Sequence, residues 1–201
     1  MKTSILIAGI LAAGISAHAR DSKPADVTVY VNGSDLPPSA VDFGARTTVT
    51  WMFARVGVRL AWRAGEPKSG AASASPVTIL VQFASEAPAG ASPNALAYAL
   101  PYGGEGAAIT LMYDRIRKTA HRSNREQPIL AHVLAHEIAH VLQGTNRHSE
   151  TGVMKAQWND GDYDAMERKP LEFSAFDVTL ITNGLGAKKE RSAGAAALAR
   201  R

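Results

Sequence analysis

The sequence predicts an α+β fold, a sheet layered with helices, and three observations carry that prediction. Between Asp26 and Phe83 an alternating β-branched stretch, an amphipathic helical stretch and two further strand-like stretches follow one another, an order that builds an α/β layer. Val77 to Phe83 is nearly continuously apolar, the pattern of a strand in the middle of a sheet. Ile129, Leu130, Val133, Leu134, Ile138, Val141 and Leu142 then recur at helical spacing over a run too long for a strand.

Taken in order, Met1 to Ala19 has a basic start at Lys2, an apolar run from Ile5 to Ile15 and a small-x-small site at Ala17-His18-Ala19. This is the three-part order of a secretory signal peptide, and the run is too short to span a membrane. Export with cleavage near Ala19, to the periplasm or outside the cell, is expected, with no stable membrane anchor. The chain has no cysteine, so it has neither a disulfide framework nor a lipid-attachment site behind the signal. Its net charge of +4 belongs to the ends: Lys2 supplies one positive charge and residues 188–201 supply four, leaving residues 20–187 near −1. A nucleic-acid-binding face is therefore not expected. The three predicted segments are a signal peptide over 1–19, one domain over 20–186, and a flexible basic tail over 187–201.

Asp26 to Val31 alternates as a first strand, broken by Asn32-Gly33 and Pro37-Pro38. Ala40 to Val56 carries Val41, Ala45, Val49, Met52, Phe53 and Val56 at three- and four-residue spacing, a helix that Gly57 stops. Val58 to Trp62 is a short strand, Arg63 to Pro76 a solvated loop, and Val77 to Phe83 the central strand. Leu96 to Leu100 ends at Pro101, which places it on a sheet edge, where its unpaired N–H and C=O groups can hold an extended peptide by strand addition. Ala97, Tyr98, Ala99 and Leu100 are the candidate substrate-binding residues. Ala108 to Tyr113 is a further strand, and Asp114 to Arg125 a charged connector. Ser123 or Asn124 caps the next helix, with Pro128 in its first turn.

That helix bears the chemistry. His136 and His140 stand four apart, one turn along the same face, and can turn imidazole nitrogens toward one point. Glu137 lies beside the first, where a carboxylate can take a proton from an activated water. Gly144 supplies the left-handed residue that ends the helix, and His148 returns beyond the turn as a third neutral ligand. Three His around Zn²⁺ leave a fourth position open. His132, four before His136, has Val133 where the base would stand, and reads as a neighbour on the helix face.

From His136 to Met154 the sequence, HEIAHVLQGTNRHSETGVM, resembles the metzincin clan of zinc metallopeptidases, whose pattern is His-Glu-x-x-His-x-x-Gly-x-x-His followed by a Met-containing turn. Gly144 comes four residues after the second His where the family has three, and His148 eight where it has six, so the return loop must compensate about 100° of extra helix rotation. The resemblance implies a zincin-like fold, a mixed, mostly parallel sheet with an antiparallel edge strand, with one catalytic Zn²⁺ on His136, His140 and His148, Glu137 as general base, Met154 in the Met-turn beneath the metal, and a C-terminal helix behind the site. The Leu96 to Gly106 stretch is similar to the matrixin edge-strand segment, with Tyr98 where that family has a structural-zinc His. The implied activity is that of a zinc metalloendopeptidase acting as a monomer on peptide or protein substrates. The alternative is a non-catalytic exported protein that keeps the fold and only holds peptides. Glu172 is the alternative third ligand, as in gluzincins, where a second helix supplies a Glu. Lys155 to Lys169, with Asp160, Asp162 and Asp164, lacks a calcium-loop pattern and reads as a solvated turn. Leu171 to Asn183 is the closing helix, ended by Gly184.

Overall fold

The computed structural model describes residues 25–67, 75–86, 92, 94–100, 107–121 and 123–198. The expected signal peptide lies outside them. The elements are β1 (Val27–Gly33), α1 (Ser39–Arg55), β2 (Leu60–Ala64), β3 (Val77–Phe83), β4 (Ala97–Leu100), β5 (Ala107–Leu111), α2 (Tyr113–Ala120), α3 (Ser123–Gln143), α4 (Asp160–Arg168) and α5 (Ala175–Leu198). The fold is α+β, with a five-stranded sheet in the order β2-β1-β3-β5-β4. All neighbours run parallel except β4, which pairs antiparallel with β5, Tyr98 opposite Thr110.

β3 is central, as its apolar run predicts. Val77, Ile79, Val81 and Phe83 point into the core while Gln82 is exposed, so the period-two alternation sets one face against the helices. On β1 the matching set is Val27, Val29 and Val31, and from α1 come Ala45, Val49, Met52 and Phe53. α3 is the hub of the helical layer: it touches α1, α2, α4 and α5 as well as β4 and β5. Its side chains from Ile129 to Leu142 are buried, with Glu137 the one partial exception. Such enclosure on all sides is why this helix lacks a polar stripe.

Four expectations about elements are corrected. The segment read as a charged connector is largely helical: α2 buries Tyr113, Ile116 and Ala120, and its charges, including the Asp114–Arg117 pair, face water. The segment read as a solvated turn contains α4, whose first turn is closed by a capping box in which Asn159 accepts from the Asp162 N–H and Asp162 from the Asn159 N–H. α3 begins at Ser123, so Pro128 lies inside it and beyond its first turn, and Asn124 donates its side chain to Glu167. α5 starts at Ala175 and does not stop at Gly184; it runs to Leu198 through most of the expected tail.

Gly184 is there for a different reason. A Cβ on it would lie 2.0 Å from the carbonyl oxygen of Leu142, so the backbones of α5 and α3 touch at this crossing. Farther along α5, Lys189 Nζ donates to Asp26 Oδ1 at 2.8 Å, tying the helix to the start of β1, and Arg59 holds the other oxygen of the same carboxylate. Among the described residues, no helix is long and apolar enough to cross a membrane.

Candidate metal centre

His136 and His140 sit in the C-terminal half of α3, His140 in its last turn, and the helical repeat brings their rings to 4.5 Å between centroids. Each is oriented from behind by a backbone carbonyl. His136 Nδ1 donates to Val153 O at 2.9 Å, and His140 Nδ1 donates to Thr145 O at 2.9 Å. With both Nδ1–H groups committed, both rings present Nε2 as a lone pair, and these two nitrogens stand 2.9 Å apart. Two acceptors at that distance repel each other unless a cation lies between them. Metal-bound His has this arrangement, one nitrogen on the ion and the other on a carbonyl.

Gly144 ends α3 with φ +67°, its N–H closing on His140 O at 2.9 Å. The chain then doubles back and delivers His148, whose ring centroid lies 5.2 Å from that of His136 and 4.9 Å from that of His140. One ligand atom from each of the three falls within 4.8 Å of the others, so the group can hold a metal ion. The longer spacing after His140 therefore does not prevent closure. Burial pushes the His136 imidazole down to about 3, helped by its two His neighbours, and burial lowers His140 and His148 as well. All three rings are neutral at neutral pH, as ligands must be.

Glu137 lies beside this cluster, and burial pushes its carboxyl up to about 7. It lines a cleft of about 490 Å³ with His136, His148 and Val133 on the floor. One wall is the approach to β4, Asn94 to Ala97; the other is Lys155 to Trp158 with Tyr163. Of the four candidate edge-strand residues, Ala97 reaches the cleft. Tyr98 is exposed and Ala99 half-buried farther along the same edge. Leu100 is the last residue of β4.

Met154 is fully buried in a turn folded back on itself, with Ser149 N–H donating to Met154 O at 2.7 Å. This turn carries the Val153 carbonyl that orients His136. It lies tight against the segment that leads into α5: Val153 N–H donates to Glu172 O at 3.1 Å, and a Cβ on Gly152 (φ +76°) would lie 2.2 Å from that oxygen. The Glu172 carboxylate itself points elsewhere, 3.6 Å from Arg55 and 3.7 Å from Lys169, and is more than half exposed. The geometry thus groups His148, and not Glu172, with the helical pair.

His132 is buried with both nitrogens engaged: Nδ1 donates to Pro128 O at 2.6 Å and Nε2 accepts from Leu171 N–H at 2.9 Å. It is a staple between α3 and the segment before α5, and burial pushes it down to about 4. Trp158, which the sequence reading passed over, stands edge-on to His136 at 5.6 Å and to His132 at 6.2 Å, its indole N–H on Gly152 O. Its only signal in the sequence is a large aromatic close behind the Met-containing turn. Compared with known proteins, the chain matches no family model and no curated protein.

Proposed function

We propose that this chain is an exported zinc metalloendopeptidase with a zincin-like, metzincin-related site: His136, His140 and His148 hold one Zn²⁺, and Glu137 is the general base. The observation that carries the reading is the pair of Nε2 lone pairs facing each other at 2.9 Å, with a third imidazole and a carboxyl beside them at the floor of an open cleft. Three neutral nitrogens are a zinc donor set, and three protein ligands leave a position free, as catalytic zinc sites do. A zinc ion bound there supplies Lewis acidity for the scissile carbonyl and makes water a far stronger acid near neutral pH.

The rest falls to this chain's own groups. Glu137 takes a proton from the attacking water and passes it to the leaving amine, two tasks open to a carboxylate that lines the cleft with His136 and His148. The carbonyls of Val153 and Thr145 keep the two helical imidazoles in the tautomer that presents Nε2. The outer edge of β4, unpaired with any other strand among the described residues and entering the cleft at Ala97, offers backbone groups to an extended peptide. Met154, buried in the turn whose Val153 carbonyl orients His136, is the residue to which the resemblance would assign the Met-turn methionine.

The test is zinc content of the purified protein together with cleavage of an unstructured substrate such as casein. Wild type is expected to hold one zinc and to cleave. Glu137→Gln should retain the zinc and lose at least about 100-fold in rate, because an amide cannot take the proton. A protein that binds zinc and peptide but cleaves nothing is the non-catalytic binder, a role in which Glu137 has no work to do. Absence of bound zinc in wild type refutes the site.

A further inference from the structure

His136 and His140 are each aimed by a hydrogen bond from the ring, but the His148 ring makes none among the described residues, and His148 is exposed on an irregular loop. Something must nevertheless hold it within reach of the other two. The residues on either side of it are both fastened to one buried carboxylate at the start of α5. Ser149 Oγ donates to Asp177 Oδ1 at 2.7 Å, and Arg147 Nη1 approaches the same oxygen at 3.4 Å and Ser149 Oγ at 3.2 Å. Arg147 also lies over the Phe176 ring, 4.5 Å from its centroid. The other oxygen of Asp177 is taken by Ser174, whose N–H donates at 3.1 Å and whose hydroxyl donates at 2.6 Å. Ser174 Oγ accepts in return from the Asp177 N–H, so the carboxylate is itself fixed by a capping box. Asp177 is fully buried, and each of its oxygens has donors.

We infer that Asp177 is a positioning residue for the third metal ligand: it clamps the backbone on both sides of His148, through Ser149 and Arg147, and so sets the affinity of the site for its ion. The inference rests on the metal site proposed above. It also accounts for how a ligand eight residues beyond His140, on a loop longer than the metzincin pattern, reaches the cluster. The loop closes against α5, and α5 carries the clamp in its first turn. A preorganised ligand spares the ion the cost of ordering that loop, and partners of this kind are worth about 10- to 100-fold in metal affinity.

The experiment is a zinc titration of the full-length chain against a chromophoric chelator, on wild type, Asp177→Asn, Ser149→Ala and His148→Ala, and on each clamp variant combined with His148→Ala. Asparagine keeps one acceptor but turns an NH₂ toward donors, so it cannot satisfy both Ser149 and Ser174. Asp177→Asn is expected to weaken zinc binding about 10- to 100-fold. Ser149→Ala, which leaves the α5 capping box intact, is expected to weaken it several-fold, and it carries the test if Asp177→Asn does not fold. In the His148→Ala background neither change should weaken binding further, since there is no third ligand left to place; a merely structural effect would add. Wild-type affinity in a folded clamp variant, or full additivity with His148→Ala, overturns the clamp alone. Failure of wild type to bind zinc overturns the metal site and the clamp with it.

Discussion

Two glycines on α5, two residues apart, should respond to the same substitution with opposite signs. At Gly186 a Cβ meets nothing within 4 Å; at Gly184 it would stand 2.0 Å from Leu142 O, 3.0 Å from Leu142 C and 3.2 Å from Gln143 Cα. Both lie in the interior of the helix, where alanine is favoured over glycine by about 1 kcal/mol. Gly186→Ala should therefore stabilise by about that amount, or roughly 2–4 °C in Tm for a domain of this size. At Gly184 a non-bonded carbon needs roughly 3.5 Å, so α5 must move off α3 by more than 1 Å, and a gap of that order forfeits much of the dispersion along the contact. Overpacking costs about 1–3 kcal/mol where side chains can yield, and here the obstacle is backbone. The net effect of Gly184→Ala is on the order of 2–3 kcal/mol of destabilisation, a fall of about 5–10 °C. Thermal unfolding followed by circular dichroism reads both. A rise in Tm for Gly184→Ala comparable to that of Gly186→Ala would refute the close crossing.

Two further outcomes follow from buried titratable groups. His132→Leu should leave zinc stoichiometry intact while costing about 1–3 kcal/mol in urea unfolding, because the Leu171 N–H loses its acceptor. Burial depresses the folded His132 from 6.5 to about 4, so between those pH values the unfolded chain binds the extra proton and acid destabilises the wild type by up to about 3 kcal/mol; the leucine variant should lack this part of the slope. Asp26 behaves in the same direction lower on the scale. Burial alone would raise its carboxyl, but hydrogen bonds from Arg59 and Lys189 outweigh that and hold it well below the usual range. Its contribution is present above the unfolded value near 4 and disappears as the pH falls below it. Asp26→Asn should cost on the order of 1 kcal/mol at pH 7, since both cations are more than a third exposed, and the gap to wild type should narrow below about pH 4; a gap independent of pH would remove the ion pairs from the account.

The parts of the fold legible in the sequence are those where a single local rule acts unopposed. Val77–Phe83 is readable to the residue because a buried parallel strand needs little besides β-branched and apolar side chains. The edge position of β4 follows from Pro101. The grouping of His136 and His140 is fixed by helix geometry before any tertiary contact forms. α2 was obscured by composition: the charged Asp114, Arg115, Arg117 and Lys118 outnumber the apolar residues, yet Tyr113, Ile116 and Ala120 fall on one side of a helix. In α4 the acids that suggest a solvated turn are a capping box and first-turn charges, so the polar cluster marks the start of a helix. Gly184 misleads because a close crossing and a helix end both select glycine, and only the position of α3 separates them. The staple at His132 and the Asp177 carboxylate stayed hidden because their partners are 39 and 28 residues away.

The ion pair between Lys189 and Asp26 spans 163 positions of sequence. Contacts so far apart are the last to repay the entropy of bringing their ends together, and a chain delivered from its N-terminus has everything from β1 to α3 in hand before α5 exists. The parallel core β1-β3-β5 and the α3 helix with its two imidazoles can form in that interval. Asp177 and Lys189, on the same late helix, arrive together, one to hold Ser149 beside His148 and the other to lock onto Asp26 at the start of β1. Closure of the proposed metal centre through Asp177 and closure of the molecule through Lys189 thus both await α5, and a polypeptide cut short before it lacks both contacts.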